Sequence, residues 1–283
     1  MKNRLLDMVK KIEGLRDGHY FYEELIKRAE YIEREFSSYG FRVERDELWF
    51  RERLHWNVVA SAPEREDEDQ IILIGAHYDA VIDSPGADDN ASGVAVMLEV
   101  ARSLGPRSGL EFVAFTLEEP QAESVDFLIG SKHFVKKTKS EGKKYRAVFI
   151  LESVGYASSK PASQLLPPFV KAPSVGDFIG VVGNSRADAI MSIFRESASR
   201  HVPELRVITH KAPWRGLLIL ETRFSDHAPF WDAGYPAVMI TDTAMFRNPN
   251  YHTPHDTAST LSPVFMSQVA KTLIHTVREM LGN

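Results

Sequence analysis

The chain has 283 residues, 43% hydrophobic and 26% charged, with a formal net charge of −5. That length and balance fit one globular domain over 1–283, and the mild acidity leaves no electrostatic footprint for nucleic acid or an anionic membrane. Without cysteine there is neither a disulfide framework nor a thiolate-ligated zinc.

The N-terminal MKNRLLDMVKKIEGL has no long apolar core and no small-residue cleavage site. The expectation is a cytoplasmic protein with no signal peptide and no transmembrane span. Tyr20–Ser38 spaces Tyr22, Leu25, Ile26, Ala29, Ile32 and Phe36 as an amphipathic helix, stopped by Tyr39–Gly40. Phe41–Phe50 and Leu54–Ser61 read as strands, followed by a solvated turn at Pro63 and the acidic run Glu64–Asp69. Ile71–Ala76 is a short β-branched run and reads as a buried strand. Val94–Leu104 has helical spacing, with Asn90 or Ser92 placed to cap it. Gly105–Gly109 is a connector, and Leu110–Leu117 a further strand. Then come a short basic helix (Ser131–Lys137), a strand (Tyr145–Leu151) and an irregular stretch at 156–177, too long for a simple connection and expected to flank a site. A strand at Phe178–Val182, a helix at Arg186–Arg200, a strand at Leu205–Thr209, a short helix at Ser225–Ala233, a strand at Ala237–Thr241 and a helix at Leu261–Leu281 complete the series. Strands alternating with helices make an α/β protein, its mostly parallel sheet covered on both faces.

The loop His77–Gly93, HYDAVIDSPGADDNASG, lies at a predicted strand end, where open α/β sheets bind their ligands. One imidazole and several carboxylates within a dozen residues suit a divalent metal, since zinc takes His nitrogen and Asp or Glu oxygen. Asp79, two residues after His77, would lie on the same side of a strand and could orient the ring. Asp88 and Asp89 would repel unless a cation lay beside them. Further polar clusters follow at strand ends: Glu118–Glu119, Glu152, and Tyr251–Thr257 with His252 and His255. Adjacent side chains on extended chain point apart, so one of Glu118 and Glu119 can bind a metal while the other addresses a water. Each cluster alone reads as well as a surface turn, but their coincidence at successive strand ends points to one site.

HYDA…GADDNASG, LEEP, LESVGY, SDHAPFWDAGYPAVMI and YHTPHDT, in this order, resemble the zinc aminopeptidase family, over roughly residues 20–280. That family includes bacterial leucyl aminopeptidases, aminopeptidase Y, the catalytic domain of glutamate carboxypeptidase and the glutaminyl cyclases. The resemblance implies a three-layer α/β/α sandwich on a mixed, mainly parallel sheet. It implies two zinc ions, with Asp88 bridging them and Asp89 following through a cis peptide. His77 and Glu152 would share one metal, and Glu119 and His252 the other. Glu118 would be the general base and Tyr251 an oxyanion donor, while Asp79 and Asp226 would support ligands. His227, His255 and Asp256 are given structural roles only. The family more often has Asp where this chain has Glu152, and the stretch from Glu118 to Ser131 is longer, adding Glu123 and Asp126.

The implied activity is a metallopeptidase removing N-terminal residues from peptides. A single-zinc glutaminyl cyclase is the alternative, as is a carboxypeptidase using Arg215, Arg223 or Arg247 for the free carboxylate. Loops 156–177 and 211–224 would set side-chain preference, with Trp214, Phe224, Phe246 and Leu217–Leu220 as pocket candidates against a core role.

Overall fold

The computed structural model describes residues 1–64, 70–121, 126–167 and 170–282. Most of the acidic run, and Glu123, fall outside the described residues. Ahead of the expected elements stands helix α1 (Lys2–Ile12). Its Leu5, Met8, Val9 and Ile12 are buried at the i, i+3, i+4, i+7 spacing of one helical face. The order continues α2 (Tyr22–Ser38), β1 (Arg42–Phe50), β2 (Arg53–Ser61), β3 (Ile71–His77), α3 (Gly93–Leu104), β4 (Leu110–Phe115), α4 (Ile129–Ser140) and β5 (Tyr145–Glu152). Then come β6 (Phe178–Gly183), α5 (Asp188–His201), β7 (Arg206–Lys211), α6 (His227–Asp232), β8 (Ala237–Thr241) and α7 (Pro263–Leu281). Ser262 caps α7 by accepting the Phe265 N–H, with Pro263 in the first turn, where its missing donor costs nothing.

The eight strands form one sheet in the order β1-β2-β4-β3-β5-β8-β6-β7. Pairs β3–β4, β3–β5, β5–β8 and β6–β7 are parallel; β1–β2, β2–β4 and β6–β8 are antiparallel. The central strands are buried on both faces and alternate between two cores, as period-2 geometry requires. Ile72, Ile74, Phe112, Phe149 and Leu151 pack under α1, α2, α3, α5 and α7. Leu73, Val113, Phe115, Val148 and Ile150 pack under α4 and α6, against Phe134, Phe230 and Trp231. This is the expected α/β/α sandwich.

Parity then decides where the polar strand ends point. His77 follows Leu73 and Gly75 in β3, and Glu152 follows Val148 and Ile150 in β5, so both face the α4/α6 side. The strand expected at 110–117 ends early. Leu117 turns left-handed (φ 53°), lifting Glu118 and Glu119 out of the sheet at the carboxyl end of β4.

Candidate active site

His77, at the end of β3, is 1% exposed and carries carboxylates on both ring nitrogens. Nδ1 lies 3.4 Å from Asp79 Oδ1. Nε2 faces Asp89 Oδ1 at 3.2 Å, Glu152 Oε2 at 3.4 Å and Glu118 Oε2 at 3.8 Å. Asp79 also accepts the backbone N–H groups of Glu118 (3.0 Å) and Glu119 (3.1 Å), tying the end of β4 to that of β3. On the other side His252 Nε2 lies 3.0 Å from Asp89 Oδ2 and 3.3 Å from Glu119 Oε1. Asp89 therefore stands between the two imidazoles, one oxygen toward each. Ser225 donates to Glu152 Oε2 at 2.7 Å, fixing that longer side chain. Tyr251 stacks on His252, with ring centroids 3.8 Å apart.

It is Asp89 that lies between the imidazoles, where the expectation had placed Asp88. Asp88 turns the other way: Oδ1 accepts Gly155 N–H (2.9 Å), and Oδ2 accepts the Asn248 side-chain amide (2.7 Å). The cis peptide correspondingly lies between Asp89 and Asn90, one bond later than expected. The orientation is set from far along the chain. Asp256, expected to be only structural, accepts both the Asp88 N–H (2.9 Å) and the Asp89 N–H (3.1 Å). Asn90 serves as more than a cap. Its Oδ1 accepts Gly93 N–H and Ser153 N–H, and its Nδ2 donates to the Leu151 carbonyl.

Arg16, not among the expected site residues, is fully buried and donates to the carbonyls of Tyr78 (2.8 Å) and Gly86 (2.8 Å) and of Pro85. A guanidinium with five donors is the side chain able to satisfy several turn carbonyls at once. Only its position just after α1, in RDG, could have drawn attention to it.

The buried cluster sets the carboxylates of Asp79, Asp89, Glu118, Glu119 and Glu152 against two imidazoles, His77 and His252. Burial pushes Glu118 well above the ordinary carboxylate range, against His77 and with Glu152, Glu119 and Asp226. Burial and Asp89 push Glu119 up to about 7. Burial likewise raises Glu152 and takes Asp226 to about 7. Burial would depress His77, yet Glu118, Glu152, Asp79 and Asp89 hold it well above its usual value. Buried carboxylates crowded in this way call for a cation. His77 Nε2, His252 Nε2, Asp89 Oδ1 and Glu119 Oε1 are buried without an aligned hydrogen bond. Ligand-type atoms of His77, Glu118 and Glu152, and of His77, Asp89 and Glu119, lie within 4.8 Å of one another in each set. Nitrogen and carboxylate oxygen donors so arranged fit zinc.

Beside Glu152 and Tyr251 opens a cavity of about 110 Å³. Its walls are apolar, among them Phe178, Val182, Ile208, Met239, Phe224 and Phe246. Gln164–Pro167 and Val170–Ala172 of the 156–177 stretch cover part of it. Trp214, Leu217, Leu218 and Leu220 are neither lining nor core; all four are exposed. Arg223 is engaged by Asp232, and Arg247 is buried on Gln164 and the Phe178 carbonyl. No arginine lines the cavity among the described residues, and Asp126 is exposed away from it. His227 is buried on the Thr222 carbonyl (2.8 Å) and packs edge-on to Trp231.

A model of peptidase family M28 matches residues 57–277. The chain belongs to peptidase family M28. Metal-dependent hydrolysis of peptide bonds is the activity that this membership carries. The chain is 36% identical to the uncharacterized protein YfbL of Escherichia coli over 267 residues, covering 89% of this chain and 79% of that one. It is 30% identical to aminopeptidase YwaD of Bacillus subtilis over 230 residues, 77% of this chain but 42% of that longer protein. Among solved structures, the glutaminyl cyclase of Porphyromonas gingivalis shares the fold (TM-score 0.72, 20% identity) over 99% of this chain and 98% of its own. As an M28 member the chain acts on peptides. Among its described residues no helix is long and apolar enough to cross a membrane.

Proposed function

We propose that this M28 peptidase is an exopeptidase that releases bulky apolar residues from free N-termini and uses two zinc ions. The observation carrying the proposal is Asp89 between His77 and His252, each imidazole with its own further carboxylates. His77, Glu152 and Asp89 would hold one ion, and His252, Glu119 and Asp89 the other. Zinc bound there supplies Lewis acidity, polarising the scissile carbonyl and lowering the pKa of water.

This chain's own residues do the rest. Glu118 touches His77 only at 3.8 Å and is the carboxylate left over for proton transfer. It takes the proton from the attacking water and returns it to the leaving amine. Asp79 keeps His77 and the Glu118–Glu119 backbone in fixed relation. The Tyr251 phenol, held above its ordinary pKa by burial and by Asp89 and Glu119, stays protonated and donates to the oxyanion. The carboxylate-rich wall holds the substrate's α-ammonium, and the apolar cavity takes the side chain of the residue released.

The full-length match to a glutaminyl cyclase favours a second reading, in which N-terminal glutamine is cyclised with loss of ammonia. Free-amine, N-acetylated and N-terminal glutamine peptides, followed by mass spectrometry with and without zinc, decide between them. Zinc-dependent release of the first residue from free-amine peptides alone is expected. Ammonia loss without chain cleavage establishes the cyclase, and C-terminal release from blocked peptides a carboxypeptidase.

A further inference from the structure

β6 reads FIGVVG, an apolar strand with a glycine in its interior. Such a glycine weakens a strand and often marks close approach of a ligand or another backbone. Gly180 has no positive φ, so the backbone does not require it. The other glycine of β6, Gly183, has a packing reason, since a Cβ there would meet Met191 Sδ at 2.9 Å and Ala187 Cβ at 3.1 Å. A Cβ at Gly180 would meet the Thr241 carbonyl oxygen at 3.2 Å, with the methyls of Thr241 (3.6 Å) and Thr243 (3.7 Å) the next nearest atoms. A first carbon nearly fits there.

The strand register shows what lies beyond it. Glu152 of β5 is opposite Thr241 of β8, Thr241 is opposite Gly180, and Gly180 is opposite Ile208 of β7. This row crosses the sheet on the α4/α6 face, starting from a candidate zinc ligand. The neighbouring row is Met239, Val182 and His210. All seven residues line the cavity, so the sheet itself is its floor. Strands are spaced about 4.8 Å apart, which puts Gly180 about 10 Å along the floor from Glu152. A side chain leaving the candidate metal centre along this row passes over Gly180.

We infer that Gly180 is a specificity-determining residue: by lacking a side chain it keeps the floor open for a bulky apolar side chain of the released residue. The inference rests on the exopeptidase reading for which residue enters the cavity. Its size agrees. About 110 Å³ is of the order of the apolar cavity of about 150 Å³ that holds benzene, enough for a Leu- or Phe-sized group. A methyl at 180 takes part of that space, and any longer side chain takes more of it.

The test compares Gly180→Ala and Gly180→Val with the wild type on leucine, phenylalanine and alanine p-nitroanilides. Valine suits a strand, so the fold should tolerate it. Gly180→Val should lower kcat/KM for the leucine and phenylalanine substrates by about 10–100-fold, the scale of displaced methylene contacts. The alanine substrate should change by less than about 3-fold, with Gly180→Ala in between. An unchanged leucine-to-alanine ratio in either variant overturns the inference, as does an equal fall on all three substrates. If Gly180→Val does not fold, the ratio in Gly180→Ala decides. If the wild type cuts none of the three, the exopeptidase reading falls. Calorimetric binding of L-leucinamide and L-alaninamide then tests the cavity directly: selective loss of leucinamide in the variants supports the inference, and equal binding overturns it.

Discussion

Replacing Asp256 with alanine is expected to destabilise the fold and weaken the metal centre together. The Asp256 carboxylate is fully buried and accepts the Asp88 and Asp89 N–H groups at 2.9 and 3.1 Å. Alanine strands both donors where water does not reach. Each buried, unpaired donor costs about 1–3 kcal/mol, so the pair should cost about 2–6 kcal/mol. At about 2–4 °C per kcal/mol for a chain of this size, Tm should fall by roughly 5–20 °C. Asp89 presents its oxygens to His77 and His252 only while its backbone is held, so zinc should bind about 10–100-fold more weakly. Asp256→Asn keeps one acceptor and should lose about half as much stability. Thermal unfolding and zinc titration of the three proteins are the measurements. A Tm within about 2 °C of wild type, with unchanged zinc affinity, would refute the claim that a residue far along the chain aims Asp89.

Asp89→Asn should lose zinc measured by metal analysis, whereas Asp88→Asn should keep it; the opposite result restores Asp88 to the bridging position. Glu118→Gln should retain zinc while kcat falls at least ~100-fold, and Glu119→Gln should lose zinc, because of these two glutamates it is Glu119 that lies against His252. Acid should destabilise the protein through His227, whose pKa burial lowers to about 4. Its folded pKa lies below the unfolded one, so the unfolded chain takes the proton first. The stability is fully present above about pH 6.5 and is lost as pH falls toward 4, by on the order of 3 kcal/mol. Denaturant midpoints at pH 7 and 4.5 should converge less in the wild type than in His227→Gln; equal pH slopes would sink this.

Much of the architecture is legible in the sequence because it is local. Helical spacing at Leu25, Ala29, Ile32 and Phe36 and the apolar runs at Ile71–Ala76 and Tyr145–Leu151 report burial that each segment meets wherever it is placed. The histidines and carboxylates gather at strand ends because parallel strands of one sheet bring their carboxyl ends to one edge, so their residue types already define a candidate metal site. Helix α1 was not among the expected elements, although its Leu5, Met8, Val9 and Ile12 stripe is a local signal of the same kind.

What the sequence cannot decide is direction. Asp88 and Asp89 are chemically identical neighbours in one irregular loop. Which of them faces the histidines depends on a carboxylate at 256 and an amide at 248, both brought in by the tertiary fold. The cavity has the same origin. Its floor joins β5, β8, β6 and β7, an order that no local pattern encodes, so Gly180 comes to lie in the row that begins at Glu152 only when the sheet has closed. Residue chemistry is a property of the chain; orientation is imposed by strand registers and by hydrogen bonds between segments distant in sequence, and only the tertiary structure supplies them.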